Sequence, residues 1–265
     1  MAGSEQRMRA TMRVTEERPA TPGTLLERGM EILGCFDAGH TALTLTQIAQ
    51  LTGLPLSTCH RITTTLCNGG FLSRGSDRRF RVGTRLWTIA QQAPLNDRLR
   101  ESALPTLARL YEETGENVTL AVLDRGQALY VDRLVGERSV PTVIRGGGHL
   151  PLHTTGVGKV LLAAQTDAAI EAYLSHPLPR PTLRSITDPD ALRRDLAEVR
   201  ERGYAITRQE MSAGSGSVAV PILRGGTCVA AVGVVVHMAR LDVGRLVATL
   251  NQAARVIEAG LGDEG

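Results

Sequence analysis

Ser57, Arg61, Thr64 and Asn68 recur at spacings of 4, 3 and 4, with Thr58 and Thr65 beside them. On an α-helix those spacings share one face. The face offers hydroxyls, an amide and a guanidinium, and no acid. Such groups donate to phosphate oxygens and reach base edges in a major groove. A surface helix without such a role usually mixes Glu with Lys or Arg. Shortly after it, Arg74, Arg78, Arg79 and Arg81 crowd around the turn-forming Gly75-Ser76-Asp77, a cluster suited to DNA backbone or minor groove. The chemistry these residues fit is recognition of double-stranded DNA.

The elements that must position them are legible. Thr44-Leu-Thr-Gln47 is a capping box of the Thr-x-x-Gln form and opens a short helix through Ile48, Ala49 and Leu51. Thr44 counts among the candidate DNA contacts. Thr52-Gly53-Leu54 breaks that helix, Pro55 suits a first helical turn, and Gly69-Gly70 ends the second helix near Asn68. Leu56, Cys59, Ile62 and Leu66 define its apolar side. Two short β segments, residues 71–74 and 79–82, then flank the turn as a hairpin. A helix–turn–helix places its second helix in the groove, and a basic hairpin after it acts as a wing. Charge agrees: the chain of 265 residues carries only +3 overall, but residues 55–93 hold six arginines against Asp77. Of the 30 basic residues only Lys159 is a lysine.

The remaining chain mixes helical and β-like runs without strict alternation, which predicts an α+β fold with a largely antiparallel sheet. Helical patterns are expected over 97–114, 156–164 and 189–202 and in a closing amphipathic helix through Val243, Leu250 and Ile257. Apolar β-like runs lie at 118–123, 129–134, 140–144, 204–207, 217–223 and 228–236. The boundaries expected are an arm over 1–22, without hydrophobic periodicity, a winged helix–turn–helix over 23–83, a linker helix over 84–97 and a second domain over 98–265.

Several classes are disfavoured. His153 could be grouped with Ser217, Asp132 or Glu210, but no nucleophile elbow, metal spacing or complete phosphate loop accompanies them. A phosphate loop would need Gly at the position of His153 and Ser or Thr at that of Val160. No catalytic residue, metal or cofactor is expected, leaving an enzyme using the second domain as the minor alternative. The four cysteines form no metal-ligating set and fit a reducing compartment. With no apolar run near bilayer length and no signal-like start, a cytoplasmic protein without membrane contact is expected.

Residues 45–61 (LTQIAQLTGLPLSTCHR), Gly70-Phe-Leu72 and residues 80–86 (FRVGTRL), then residues 150–163 (LPLHTTGVGKVLLA), Arg202-Gly-Tyr204, Glu210, Gly214 and Ala219-Val-Pro221, together resemble the IclR family of bacterial transcriptional regulators. The likeness runs from about Gly23 to Leu261. It implies a winged helix–turn–helix, a linker helix and a GAF-like effector-binding domain, in a homodimer or homotetramer pairing through the N-terminal domains. It also implies a regulator of catabolic genes, a repressor before an activator, answering to a small organic effector. His60-Arg61 match the family's recognition-helix His-Arg. The resemblance and the glycines before a helix, with backbone N–H groups suited to an anion, make Gly147, Gly148, His153, Thr154, Thr155 and Gly156 candidate effector contacts. Relatives that recognise very small acids resemble one another in an acid, a Cys and serines, where this chain has Thr207 or Arg208, then Ser217, then Gly233 and Val235. The expected effector is therefore a larger carboxylate or aromatic compound, with Arg208, Glu210, Ser217 and Val235 as further candidates and Arg208 as the charge partner.

Overall fold

The computed structural model describes residues 23–37, 39–92, 94–136 and 147–262. The expected arm over 1–22 and the β-like run at 140–144 lie outside the described residues. The chain divides between Asp97 and Arg98 into two compact units.

The first unit packs helices α1 (Leu25–Leu33), α2 (Leu45–Thr52) and α3 (Leu56–Asn68) with a hairpin of β1 (Leu72–Arg74) and β2 (Phe80–Val82). Thr24-Glu27 and Thr44-Gln47 both close reciprocal capping boxes, satisfying backbone donors that a helix start leaves unpaired. The α2–α3 turn is made at Gly53, whose φ of 70° is the left-handed conformation that glycine adopts without Cβ strain. Ile32, Cys35, Leu43, Ile48, Cys59, Ile62, Leu72 and Phe80 form the core. Leu56 departs from the expected apolar side: it opens α3 and stays 51% exposed. Leu43 exchanges both backbone hydrogen bonds with Phe80, at 3.0 and 2.7 Å, tying the hairpin to the helices.

Where the hairpin returns, backbone meets backbone. Gly83 N donates to Phe71 O at 2.8 Å, and a Cβ on Gly83 would run into the Gly70 carbonyl. Gly83→Ala should therefore destabilise this unit by about 1–3 kcal/mol, the usual cost of overpacking. A thermal melt coinciding with that of the wild type would refute the contact.

α4 (Thr84–Ala90) ends earlier than the helix expected over 84–97, and α5 (Pro94–Thr114) begins at Pro94 rather than Asp97. Proline is suited to a helix's first turn because the N–H it lacks has no partner there. Pro105 lies inside α5.

The second unit is built on a six-stranded antiparallel sheet in the order β5-β4-β3-β8-β7-β6. Its strands are β3 (Asn117–Asp124), β4 (Gln127–Leu134), β5 (His149–Pro151), β6 (Ala205–Arg208), β7 (Ser215–Arg224) and β8 (Thr227–His237). Side chains alternate between the two faces of a strand. Val118, Leu120, Val122, Val218, Val220, Val232 and Val234 face α5 and α9 (Val243–Leu261). α9 answers with Leu246, Leu250, Ala253, Ala254, Ile257 and Leu261, a single helical stripe. The opposite face carries small residues, Ala121, Ala128, Ala205, Ala219 and Ala231, beneath α6 (Gly156–Ala163) and α8 (Pro189–Arg202). α7 (Asp167–Leu174) contributes Ile170 and Leu174 to that core. Small side chains on this face leave room for a cavity.

Candidate functional site

On α3, Ser57, His60, Arg61, Thr64, Thr65 and Asn68 are exposed, and Thr58 is half-buried. The hydroxyls of Thr64 and Thr65 donate to the carbonyls of His60 and Arg61, at 2.8 and 3.1 Å. Their oxygens keep lone pairs that can accept from base amino groups. Pro55 supplies no side-chain cap, so the start of α3 presents backbone donors to an approaching phosphate.

The four arginines of the hairpin have different environments. Arg78 is exposed at the turn with φ 58°. Arg79 reaches back to Ala42 O and Gln47 Oε1, at 3.2 and 3.3 Å, and pins the wing to the start of α2. The same Gln47 accepts from Thr44 N and the Thr44 hydroxyl, so Thr44 and Arg79 belong to one cap network. Arg81 clamps Asp77 through two bonds of 2.6 and 3.0 Å and holds that carboxyl down at about 2. Arg74 lies 5.3 Å over the Phe80 ring.

In the second unit a cavity opens between the small-residue face of the sheet and the start of α6. Thr154, Thr155, Gly156 and Val157 line it from the helix, and Thr207, Ser217, Gly233, Val235, Asn117 and Thr119 from the strands. Ser217 Oγ is its hub, 2.6 Å from Thr207 Oγ1 and accepting from Gly156 N at 3.2 Å. Thr155 Oγ1 accepts from Gly158 N at 3.1 Å. Two N–H groups of the first turn of α6 are thus already capped by protein.

Residues 25–76 match the IclR helix-turn-helix domain, and residues 92–259 match the C-terminal domain of the bacterial transcriptional regulator IclR. The chain is 31% identical to the transcriptional repressor IclR of Escherichia coli over 193 residues, 71% of this chain and 70% of that one. It is 30% identical to the Pca regulon regulatory protein of Pseudomonas putida over 82% of this chain and 76% of that one. A crystal structure of an IclR homolog from Microbacterium hydrocarbonoxydans complexed with 4-hydroxybenzoate has a TM-score of 0.85 at 36% identity, covering 90% of this chain and 99% of that one. The chain belongs to the IclR family. It is a transcriptional regulator with an N-terminal helix–turn–helix and an α+β C-terminal domain.

Within this IclR architecture, the structure brings Thr154, Thr155, Gly156, Ser217 and Val235 together around the cavity. It places Gly147 and Gly148 beside β4, where they exchange backbone bonds with Tyr130 at 2.8 and 3.0 Å. The His153 ring is buried, with Nε2 2.8 Å from Pro179 O and Nδ1 2.7 Å from Tyr173 Oη. A carbonyl only accepts, so Nε2 carries the proton and Nδ1 accepts from the phenol. Burial pulls this imidazole's pKa below its ordinary value. Arg208 is exposed at the end of β6 and is not among the residues lining the cavity.

Glu210 turns toward Lys159, which is fully buried on α6. Lys159 Nζ lies 2.7 Å from both Asp195 of α8 and Glu210. Burial nevertheless raises the Glu210 carboxyl, against the pull of Lys159. The ion pair fixes the loop after β6, whose Met211 and Ser212 line the cavity.

Sequence reasoning missed Asn117, Tyr130, Arg133, Leu150, Met211, Ser212 and Ser215 as lining residues. A signal existed for Asn117, which with Thr119 interrupts an otherwise apolar strand at every second residue. None existed for the pair Tyr130 and Arg133, which alternation places on opposite faces.

Proposed function

We propose that this chain is a ligand-responsive repressor of catabolic genes that binds operator DNA through α3 and its wing and an organic acid or aromatic effector in the second-unit cavity. The carrying observation is the exposed, acid-free outer face of α3, set beside a wing whose Arg74 and Arg78 are exposed. The hydroxyl-lined cavity, in a fold shared with a 4-hydroxybenzoate complex, supports the sensing half. Differential affinity of the effector for two conformations of the protein is what changes operator occupancy. Exposed Leu25, Leu26 and Met30 on α1 and Trp87 and Ile89 on α4 are apolar surface suited to self-association, so the regulator acts as a homodimer or homotetramer. Among the described residues no helix is long and apolar enough to cross a membrane.

Selection from random duplex DNA should recover a palindromic site, since paired half-sites mirror a two-fold protein. Its affinity should fall with salt at a log–log slope of about −0.9 per phosphate contacted and should change on adding 4-hydroxybenzoate or another aromatic acid. Binding without sequence preference at any salt would overturn the reading.

A further inference from the structure

The four wing arginines are not equivalent, and one of them stands where a hairpin loop ordinarily takes glycine. We propose that Arg78 enters the minor groove beside the site read by α3 and selects A·T-rich flanking sequence there, with the Asp77–Arg81 clamp as its positioning device. The proposal rests on reading α3 as the helix in the major groove.

Gly75 N donates to Arg79 O at 2.9 Å, and Arg78 N donates to Gly75 O at 3.0 Å. Ser76, Asp77 and Arg78 are therefore a three-residue loop, closing the ladder in which Arg74 pairs with Phe80. Loops of this length need a left-handed residue at their last position, and glycine fills it without strain. Here Arg78 fills it, at φ 58°. A side chain in that conformation carries a backbone cost, and such cost gathers at functional sites. Glycine would close the loop more cheaply, so what the arginine adds is its side chain.

That side chain is exposed, and among the described residues its guanidinium has no hydrogen bond or ion pair. The other three wing arginines are engaged. Arg79 holds Ala42 and Gln47, Arg81 holds Asp77, and Arg74 lies over the Phe80 ring. The minor groove of B-DNA, about 6 Å wide, admits a single extended side chain rather than a ribbon. Where A·T runs narrow it further, its negative potential deepens and draws in a guanidinium. One unengaged arginine at the tip of a three-residue loop fits that groove.

Asp77 is out of place by charge alone, since an acid at the tip of a cationic wing repels phosphate. Its bonds account for it. The carboxylate accepts from Arg81 Nη2 and Nη1 at 2.6 and 3.0 Å and from Arg79 N at 3.2 Å. The residues on either side of Arg78 are thereby tied to each other and to β2. An exposed ion pair contributes little stability, but three bonds to one carboxylate fix the shape of the loop. Gly75 makes room for them: a Cβ there would meet both the Arg81 guanidinium and the Asp77 carboxylate.

Binding of the full-length protein to the duplex that the wild type selects from random DNA tests this. Base pairs beside the selected core should be A·T-rich. Replacing them with G·C should weaken binding about 10-fold, within the range for one misread base pair. Inosine·C pairs, which lack the guanine N2 amino group in the minor groove, should restore it. Arg78→Gly should bring the two flanks within about twofold, keep the preference for the core and melt no lower than the wild type, because glycine relieves the left-handed strain. Asp77→Asn removes a negative charge, so charge alone predicts tighter binding to every duplex; the positioning role predicts a smaller preference for A·T flanks. A flank preference that survives in Arg78→Gly, or a loss equal on both flanks as a phosphate contact would give, would overturn Arg78 as the reader. An unchanged preference in Asp77→Asn would overturn the clamp. A wild type that selects a core with indifferent flanks would remove this inference and leave α3 in place. Selection of no core at all would remove both.

Discussion

Replacing Lys159 with methionine should cost the second unit about 3–5 kcal/mol, the range for breaking a buried ion pair by deleting one partner. Methionine fills much the same volume, so the loss is electrostatic. It leaves Asp195 and Glu210 facing each other with the intervening cation gone. The pH dependence has a definite sign. The Glu210 carboxyl is already raised by burial, with Lys159 the largest opposing influence, and the substitution lets it rise further. An acid whose folded pKa lies above its unfolded one contributes stability below the unfolded pKa and loses it as pH rises through the folded value. His153 acts in the same direction, because Lys159 helps to depress it and its removal eases protonation. The gap between wild type and variant should thus be widest near pH 8 and narrow on acidification toward the ordinary glutamate value of 4.5. Urea unfolding at pH 5.5 and pH 8 measures it. A gap that widens in acid would contradict the assignment. Because Glu210 precedes Met211 and Ser212 in the cavity wall, effector binding should weaken together with stability.

Arg61→Ala should abolish specific DNA binding while the fold persists. The side chain is exposed midway along α3, and surface truncations of this kind usually change stability by less than about 0.5 kcal/mol. A bidentate arginine–guanine pair contributes about 1–3 kcal/mol of discrimination. In the dimer proposed above that loss falls at both half-sites, about 30-fold to 10⁴-fold in all. Footprinting would show the site vanish while circular dichroism stays constant. A retained footprint would mean another face of the unit reads the operator. Arg79→Ala should behave differently, because its guanidinium secures the wing to Ala42 and Gln47: affinity and stability should fall together.

The helix–turn–helix was legible because its determinants are local. The capping box at Thr44 and the left-handed Gly53 act within four residues of themselves, and a helix's 3.6-residue period sorts Arg61 from Ile62 without reference to any other element. Most strands of the second unit were legible for the same reason, since their near-continuous apolar runs reflect a core on both faces; the three-residue β5 was not. The family resemblance also pointed to Thr154, Thr155, Gly156 and Ser217, which converge at the cavity. Leu56, by contrast, follows the apolar period of α3 and yet is exposed, because burial needs a neighbouring element that periodicity does not supply.

What sequence alone determined, then, is the order and type of most elements, α7 and β5 excepted, and the chemistry of the outer face of α3. Each is set by neighbours a turn or a pleat away. Tertiary structure decided which charges serve the cavity. A single extra residue opposite Leu120 and Ala121 reverses the facing of β4 and brings Arg133 inward, while Arg208 ends β6 in solvent and Lys159 is enclosed between carboxylates from α8 and the loop after β6. Facing and burial depend on register between strands and on what packs above them. Those are contacts between residues tens to more than a hundred positions apart, and spacing within one segment carries no record of them.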